Sequence, residues 1–299
     1  MEAADALASG PKRSVGRRLA DLFHGHPKLG LGALLAGPIG WLVIGYLGSL
    51  AVLLIASFWT VDALSGETTR NLSLHNYDEL VSQGVYLDVA LRTIGVAAAA
   101  TLTDAILAFP IAFYMAKLAG SRSKAALLVA ILMPLWSFYL VKVYAWETML
   151  SAGGVINWAL EPIGLHSPGF GLTSVWLVES YLWLPYMILP IYAGLERIPN
   201  SLLSASDDLG AHPVTTFRRV ILPLVLPAMV AGSIFTFSLT LGDYITPSLV
   251  GGNVQFIGTV VFANHANNLP LASAFTMVPL VVMVVYLMIA RRLGAFEHL

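Results

Sequence analysis

The chain has 299 residues, of which 57% are hydrophobic and 11% charged, and its mean hydropathy is +0.77. Soluble domains carry roughly 25% charged residues, so an ordinary soluble domain is excluded and the bilayer is the expected solvent. A formal net charge of −1 lacks the concentrated basic surface that nucleic acid demands, and zero cysteines exclude disulfides, Cys-based zinc sites and thiol nucleophiles.

The leader, residues 1–30, is basic and poor in large apolar side chains, and a mobile segment is expected there. From residue 31 to 299 the chain reads as a single transmembrane domain. Its first apolar run, Leu34–Phe58, exceeds the roughly 7–15 apolar residues of a signal-peptide core and reads as a retained span. A hydrocarbon layer about 30 Å thick needs about 20 apolar residues per crossing. Six runs qualify: Leu34–Phe58, Ile94–Met115, Ala125–Ala145, Leu172–Leu195, Val220–Leu241 and Leu271–Ala290. The expected fold class is an all-α integral membrane bundle of six transmembrane helices. Pro110, Pro134, Pro185, Pro190, Pro223, Pro227 and Pro279 fall inside these runs. Each frees a carbonyl that must find a partner within the protein, which predicts kinked, mutually packed helices.

Lys and Arg set the orientation, because cytoplasmic loops retain them. Lys12, Arg13, Arg17, Arg18 and Lys28 precede the first run; Lys117, Arg122 and Lys124 follow the second; Arg197, Arg218 and Arg219 follow the fourth; Arg291 and Arg292 end the sixth. Thus 13 of the 16 basic residues share one face, and only Arg70, Arg92 and Lys142 lie toward the other. Both termini are expected in the cytoplasm.

No GxxxxGK[ST] phosphate loop occurs, no HExxH occurs, and none of the seven histidines lies within a run. Neither ATP hydrolysis by this chain nor intramembrane proteolysis is expected. Transport is the class that remains.

The segment between the fourth and fifth runs is too long for a turn and too patterned for a linker. Pro199 and Asn200 suit a helix start, Ser201 to Leu209 a short helix, Gly210 a left-handed stop, and Pro213 the first turn of a second helix. Leu202, Leu203, Leu209, Val214 and Phe217 supply an apolar face that needs cover, from the chain's own spans or from a partner. Ser204-Ala205-Ser206-Asp207-Asp208-Leu209-Gly210-Ala211, followed by Phe217-Arg218-Arg219-Val220-Ile221-Leu222-Pro223, resembles the EAA motif of ATP-binding-cassette importer permeases. The family form is Glu-Ala-Ala, three residues, Gly, and then Ile/Val-x-Leu-Pro. Ser204 stands where the family has glutamate, and Asp207 or Asp208 can supply the acidic group. Tyr144-Ala145-Trp146-Glu147 with Gly153-Gly154-Val155-Ile156-Asn157, and Gly242-Asp243-Tyr244-Ile245-Thr246-Pro247-Ser248-Leu249-Val250-Gly251-Gly252, are similar to stretches of the spermidine/putrescine type.

The resemblance implies a type I importer permease bundle in a bacterial inner membrane, handling a small organic solute such as a polyamine. It implies a cytoplasmic coupling helix built from Leu203 to Ala211 with Phe217. The partners it implies are a cytoplasmic ATPase dimer, which binds ATP and Mg in place of any cofactor in this chain, a second similar permease, an extracytoplasmic substrate-binding protein and membrane lipid. ATPase closure would pull the Ser201–Phe217 segment and rock the spans.

Ionisable residues inside a span cost at least ~2.5 kcal/mol at its centre, so each marks a candidate site. Asp104 lies on a stripe with Ala97, Thr101, Ala108 and Ala112, facing inward for either structure or transport. Glu179 is in helical line with Trp176, Trp183 and Tyr186, a setting suited to an organic ammonium ion, although Lys142 or Arg92 could equally neutralise it. Asp243 closes a stripe of Ser233, Thr236 and Thr240 and, beside Tyr244, could either line a path or cap the segment that follows. Two rival classes are a secondary transporter using Asp104 and Glu179 as a proton relay, and a structural subunit with no path.

Overall fold

The computed structural model describes residues 27–62 and 65–292. Lys12, Arg13, Arg17 and Arg18, with the mobility expected of the leader, lie outside the described residues. The chain divides into two compact units after Ile55. The first is continuous apolar helix: α1 (Pro27–Trp41), a π-helical stretch (Leu42–Leu47) and α2 (Gly48–Ala56), whose last residue opens the second unit. Within it Leu34–Ala56 is long and apolar enough to cross a bilayer, and Trp41, at 82% exposure, and Ile44 present the apolar surface that lipid requires.

The second unit begins with a small antiparallel hairpin, β1 (Thr60–Val61) and β2 (Thr68–Thr69), pairing Thr60 with Thr69. α3 (His75–Ser82) is held beneath it, since buried Asn76 donates to the carbonyls of Ser57 at 2.9 Å and Trp59 at 2.7 Å. α4 runs from Gly84 to Phe113 and continues as a π-helical stretch through Leu118. α5 (Ser121–Trp136), α6 (Tyr139–Leu150) and α7 (Val155–Leu160) follow, then α8 (Leu172–Glu196). After α9 (Asn200–Asp208), α10 (Pro213–Thr216) passes through a π-helical stretch (Phe217–Ile221) into α11 (Leu222–Gly242). α12 (Ile245–Val250), α13 (Ile257–Asn264) and α14 (Leu269–Arg292) complete the described chain.

The centre of this unit is the packing of α4, α8 and α11. Small side chains make it possible: Ala97, Ala100, Ala108 and Ala112 of α4 are wholly buried, and a Cβ on Gly194 of α8 would stand 2.6 Å from the Cβ of Ala228 on α11. Around them Met115, Met187, Ile191, Leu195, Ile221 and Val225 form one apolar core. α4 and α8 finish at the same end of the bundle, where Lys117 reaches the Ile198 carbonyl and Lys124 pairs with Glu196. We refer to this as the basic end.

The expectation for the third run needs correction. Ala125–Ala145 is not one kinked helix: α5 and α6 meet at 92°, separated by extended residues Ser137 and Phe138. Pro134 removes a backbone donor near the break, and Lys142 Nζ donates to its carbonyl at 3.1 Å. The other prolines leave their helices unbroken, and among the described residues five helical runs qualify as spans, six if the bent pair is one crossing. Register shifts into π geometry adjoin three of the prolines among the described residues: Leu42–Leu47 after Pro38, Tyr114–Leu118 after Pro110 and Phe217–Ile221 before Pro223.

Candidate functional site

The segment between α8 and α11 folds as its residue pattern predicts. α9 starts after Pro199 and ends in a turn with Gly210 at φ +70°, a conformation that costs any residue with a Cβ about 1–2 kcal/mol. Pro213 opens α10, with the His212 ring accepting from the Val214 amide. The two short helices are tied by a buried hydrogen bond of 2.7 Å between Ser206 and Thr216.

The apolar residues of this segment divide between two faces. Leu203 and Phe217 pack on the core, Phe217 edge-to-face on Phe109 of α4 with ring centroids 5.2 Å apart. Leu202, Val214 and Leu209, the last 87% exposed, point outward beside exposed Ser204, Ala205, Asp207, Asp208 and Gly210, while Ala211 is half-buried. The chain's own spans therefore cover one face and leave the other open.

At the end away from the basic residues, α6, α8 and α11 bring a second cluster together. Asp243 follows the last turn of α11, and its carboxylate accepts from the backbone amide of Ile245 at 2.8 Å and the Thr246 hydroxyl at 2.6 Å, capping α12. The Tyr139 hydroxyl of α6 donates to the same carboxylate. Glu179 of α8 is completely buried, faces the Asp243 carboxylate and accepts from the Trp183 indole one turn along. Tyr139 stacks on Trp183, 5.7 Å between centroids and 11° between planes, and Tyr186 stands 6.0 Å from Trp183. The buried Thr240 hydroxyl and the Asp243 carboxyl lie beside Glu179, although neither completes a hydrogen bond of good geometry to its Oε1.

Residues 84–295 match the family described as the binding-protein-dependent transport system inner membrane component. The chain belongs to that family. It is 44% identical to the inner membrane ABC transporter permease protein YdcU of Escherichia coli (strain K12), over 97% of each chain. It is 30% identical to the spermidine/putrescine transport system permease protein PotB of Haemophilus influenzae, covering 78% of this chain and 83% of the relative. The fold is shared with a chain of a bacterial alginate ABC transporter at a TM-score of 0.70 and 16% identity, covering 91% of this chain and 96% of that one. The protein is thus the multi-pass permease of an ATP-binding-cassette importer.

Of the path residues named from the permease's sequence, Glu179, Trp183, Tyr186, Thr240 and Asp243 come together. Tyr244 does not: it stacks on Phe262 at 4.8 Å and lines a separate, largely apolar cavity of about 360 Å³ with Leu241, Ile257 and His265. Asp104 is also apart, wholly buried on α4 with both carboxyl oxygens unpartnered. Trp176 leaves the Glu179 line to donate to Thr103 at 3.1 Å. Neither cation suggested for Glu179 reaches it, since Lys142 bonds the Pro134 carbonyl and Arg92 that of Gln255. Tyr139 joins the cluster without a strong sequence signal. Its one signal was its place as an aromatic residue just past the Pro134 break.

Proposed function

We propose that the permease passes a small organic cation of the polyamine class, such as putrescine or spermidine, along the cluster of Glu179, Asp243, Tyr139, Trp183, Tyr186 and Thr240. The observation that carries this reading is the buried Glu179 carboxyl facing that of Asp243, with no cationic side chain among the described residues bonded to either. A carboxylate in low dielectric attracts a cation strongly, and the stacked rings of Tyr139 and Trp183 favour an organic ammonium through their π faces. The PotB relatives, whose names state spermidine and putrescine, support the same class.

In this reading the basic end and both termini face the cytoplasm, by the distribution of Lys and Arg. The exposed face of the segment from Leu203 to Ala211 docks on a separate cytoplasmic ATPase dimer, which binds the ATP and Mg, so this chain does no covalent chemistry. Phe217 roots that segment in the bundle. A second similar permease and a substrate-binding protein on the opposite side complete the importer.

Uptake of labelled putrescine and spermidine by cells carrying the importer tests the proposal. Glu179→Gln and Asp243→Asn are each expected to lower uptake at least about tenfold, the loss of one charge-assisted contact. Normal uptake by Glu179→Gln at normal membrane levels would remove the acid pair from the path. Uptake that survives inactivation of the ATPase would instead favour a proton-coupled carrier.

A further inference from the structure

Both roots of the α9–α10 segment are fastened to α4 and its π-helical continuation, which is not adjacent to the segment along the chain. At the first root, Lys117 Nζ donates to the Ile198 carbonyl at 2.6 Å and to Asn200 Oδ1 at 3.3 Å. These two residues flank Pro199, the hinge from α8 into α9. At the second root, Phe217 packs on Phe109. Movement of the segment must therefore move the end of α4.

The opposite end of α4 holds the stretch that abuts Asp243. Thr93, itself buried, accepts from the Ile257 amide at 3.0 Å, and Arg92 donates to the Gln255 carbonyl at 3.2 Å. The next residue, Gly258, lies directly on Asp243: a Cβ there would stand 2.5 Å from the Asp243 carbonyl oxygen. From Gly84 to Phe113 the intervening helix is continuous, and its buried face, mostly alanine with Val96 and Asp104 between, packs against α8 and α11 along its length.

We propose that α4 is the lever that joins the coupling segment to the Asp243 side of the candidate site, with Lys117 and Thr93 as its two fastening residues. The proposal rests on the coupling and path assignments made above. Lys117 and Thr93 are positioning residues: neither belongs to the cluster around Glu179. Displacement of Phe217 reaches Asp243 directly along α11, and α4 passes the displacement of Asn200 and Phe217 separately to Gln255–Gly258, which abuts the Asp243 backbone.

This chain contains no cysteine, so cysteines placed at Tyr181 of α8 and at exposed Asn253 are its only labelling sites, and they are spin-labelled in importer whose partner subunits have had their cysteines replaced. Distances between the two labels are measured in the purified importer, without nucleotide and with ATP trapped by vanadate. A trapped-state shift of about 2 Å is expected in the labelled parent. Lys117→Met, which keeps the aliphatic stem without the donor, and Thr93→Val are each expected to abolish that shift. The ATPase should remain bound and active, while putrescine uptake falls about tenfold. Lys117→Arg, which retains a donor, should restore the shift. A merely structural role would lower the yield of assembled importer without selectively erasing the nucleotide response. A shift that persists in both Lys117→Met and Thr93→Val, with the ATPase bound, overturns the lever alone. Absence of any ATPase from the purified parent overturns the coupling assignment and the lever with it.

Discussion

Ser206 and Thr216 hold their hydroxyl oxygens 2.7 Å apart, both side chains buried on the inner side of the α9–α10 segment. The pair closes the segment into one unit. Ser206→Ala would leave the Thr216 hydroxyl buried without that partner, at a cost of about 1–3 kcal/mol felt locally. Hydrogen exchange in the amides of 200–217 should accelerate in the variant, while exchange in α14 stays as it was. Equal rates in the segment would show that the pair contributes nothing.

Gly210 makes the stop of α9 at φ +70° with open space around its Cα, so a side chain there is opposed by backbone conformation alone. Gly210→Ala is expected to destabilise the segment by about 1 kcal/mol and Gly210→Asn by less, because Asn tolerates the left-handed region. Thermal unfolding of the detergent-solubilised chain should rank the variants in that order. An alanine variant as stable as the parent would mean that the turn can reshape freely.

Gly194 and Gly95 predict opposite outcomes from the same substitution. A Cβ on Gly194 meets Ala228 at 2.6 Å, so Gly194→Ala must push α8 away from α11 and should cost about 1–3 kcal/mol. Gly95 of α4 has nothing within 4 Å of its Cβ position, and Gly95→Ala should gain up to about 1 kcal/mol from helix propensity. Unfolding midpoints that move in the same direction for both would contradict the packing described for α4, α8 and α11.

What could be read from the sequence was local. The apolar runs located the long helices apart from the third, which covers two, because crossing lipid demands about 20 consecutive apolar residues whatever surrounds them. Gly210 and Pro213 fixed the ends of α9 and α10 through backbone conformation alone. Trp183 was correctly placed beside Glu179 because helical spacing puts residues four apart on one face. The rest depended on chain segments distant in sequence. Nothing in Ala125–Ala145 announced that Lys142 would turn back to the Pro134 carbonyl and stabilise a right-angled break. α3, α7, α12 and α13 are too short for hydrophobic periodicity to reveal. The meeting of Glu179 with Asp243, and of both with Tyr139, is tertiary. Tyr244 was grouped with Asp243 as its chain neighbour, yet its side chain stacks on Phe262.

Tyr139 separates hydrogen bonding from aromatic contact within the candidate site. Its hydroxyl donates to Asp243 and lies 2.9 Å from the Thr246 hydroxyl, while its ring stacks on Trp183. Tyr139→Phe keeps the ring and removes the donor, so Asp243 loses one of its hydrogen bonds but retains those from Ile245 and Thr246. A net loss of about 1 kcal/mol corresponds to roughly a fivefold weaker interaction, expected as a raised KM for putrescine uptake. Tyr139→Ala removes the stack as well, leaving Trp183 without a wall, and should lower uptake further than Tyr139→Phe does. If the ring acts only as packing beside an acid pair that no cation visits, both variants will alter unfolding midpoints and leave KM unchanged. Parallel uptake and stability measurements on the two variants therefore decide whether the aromatic wall serves the solute or only the fold.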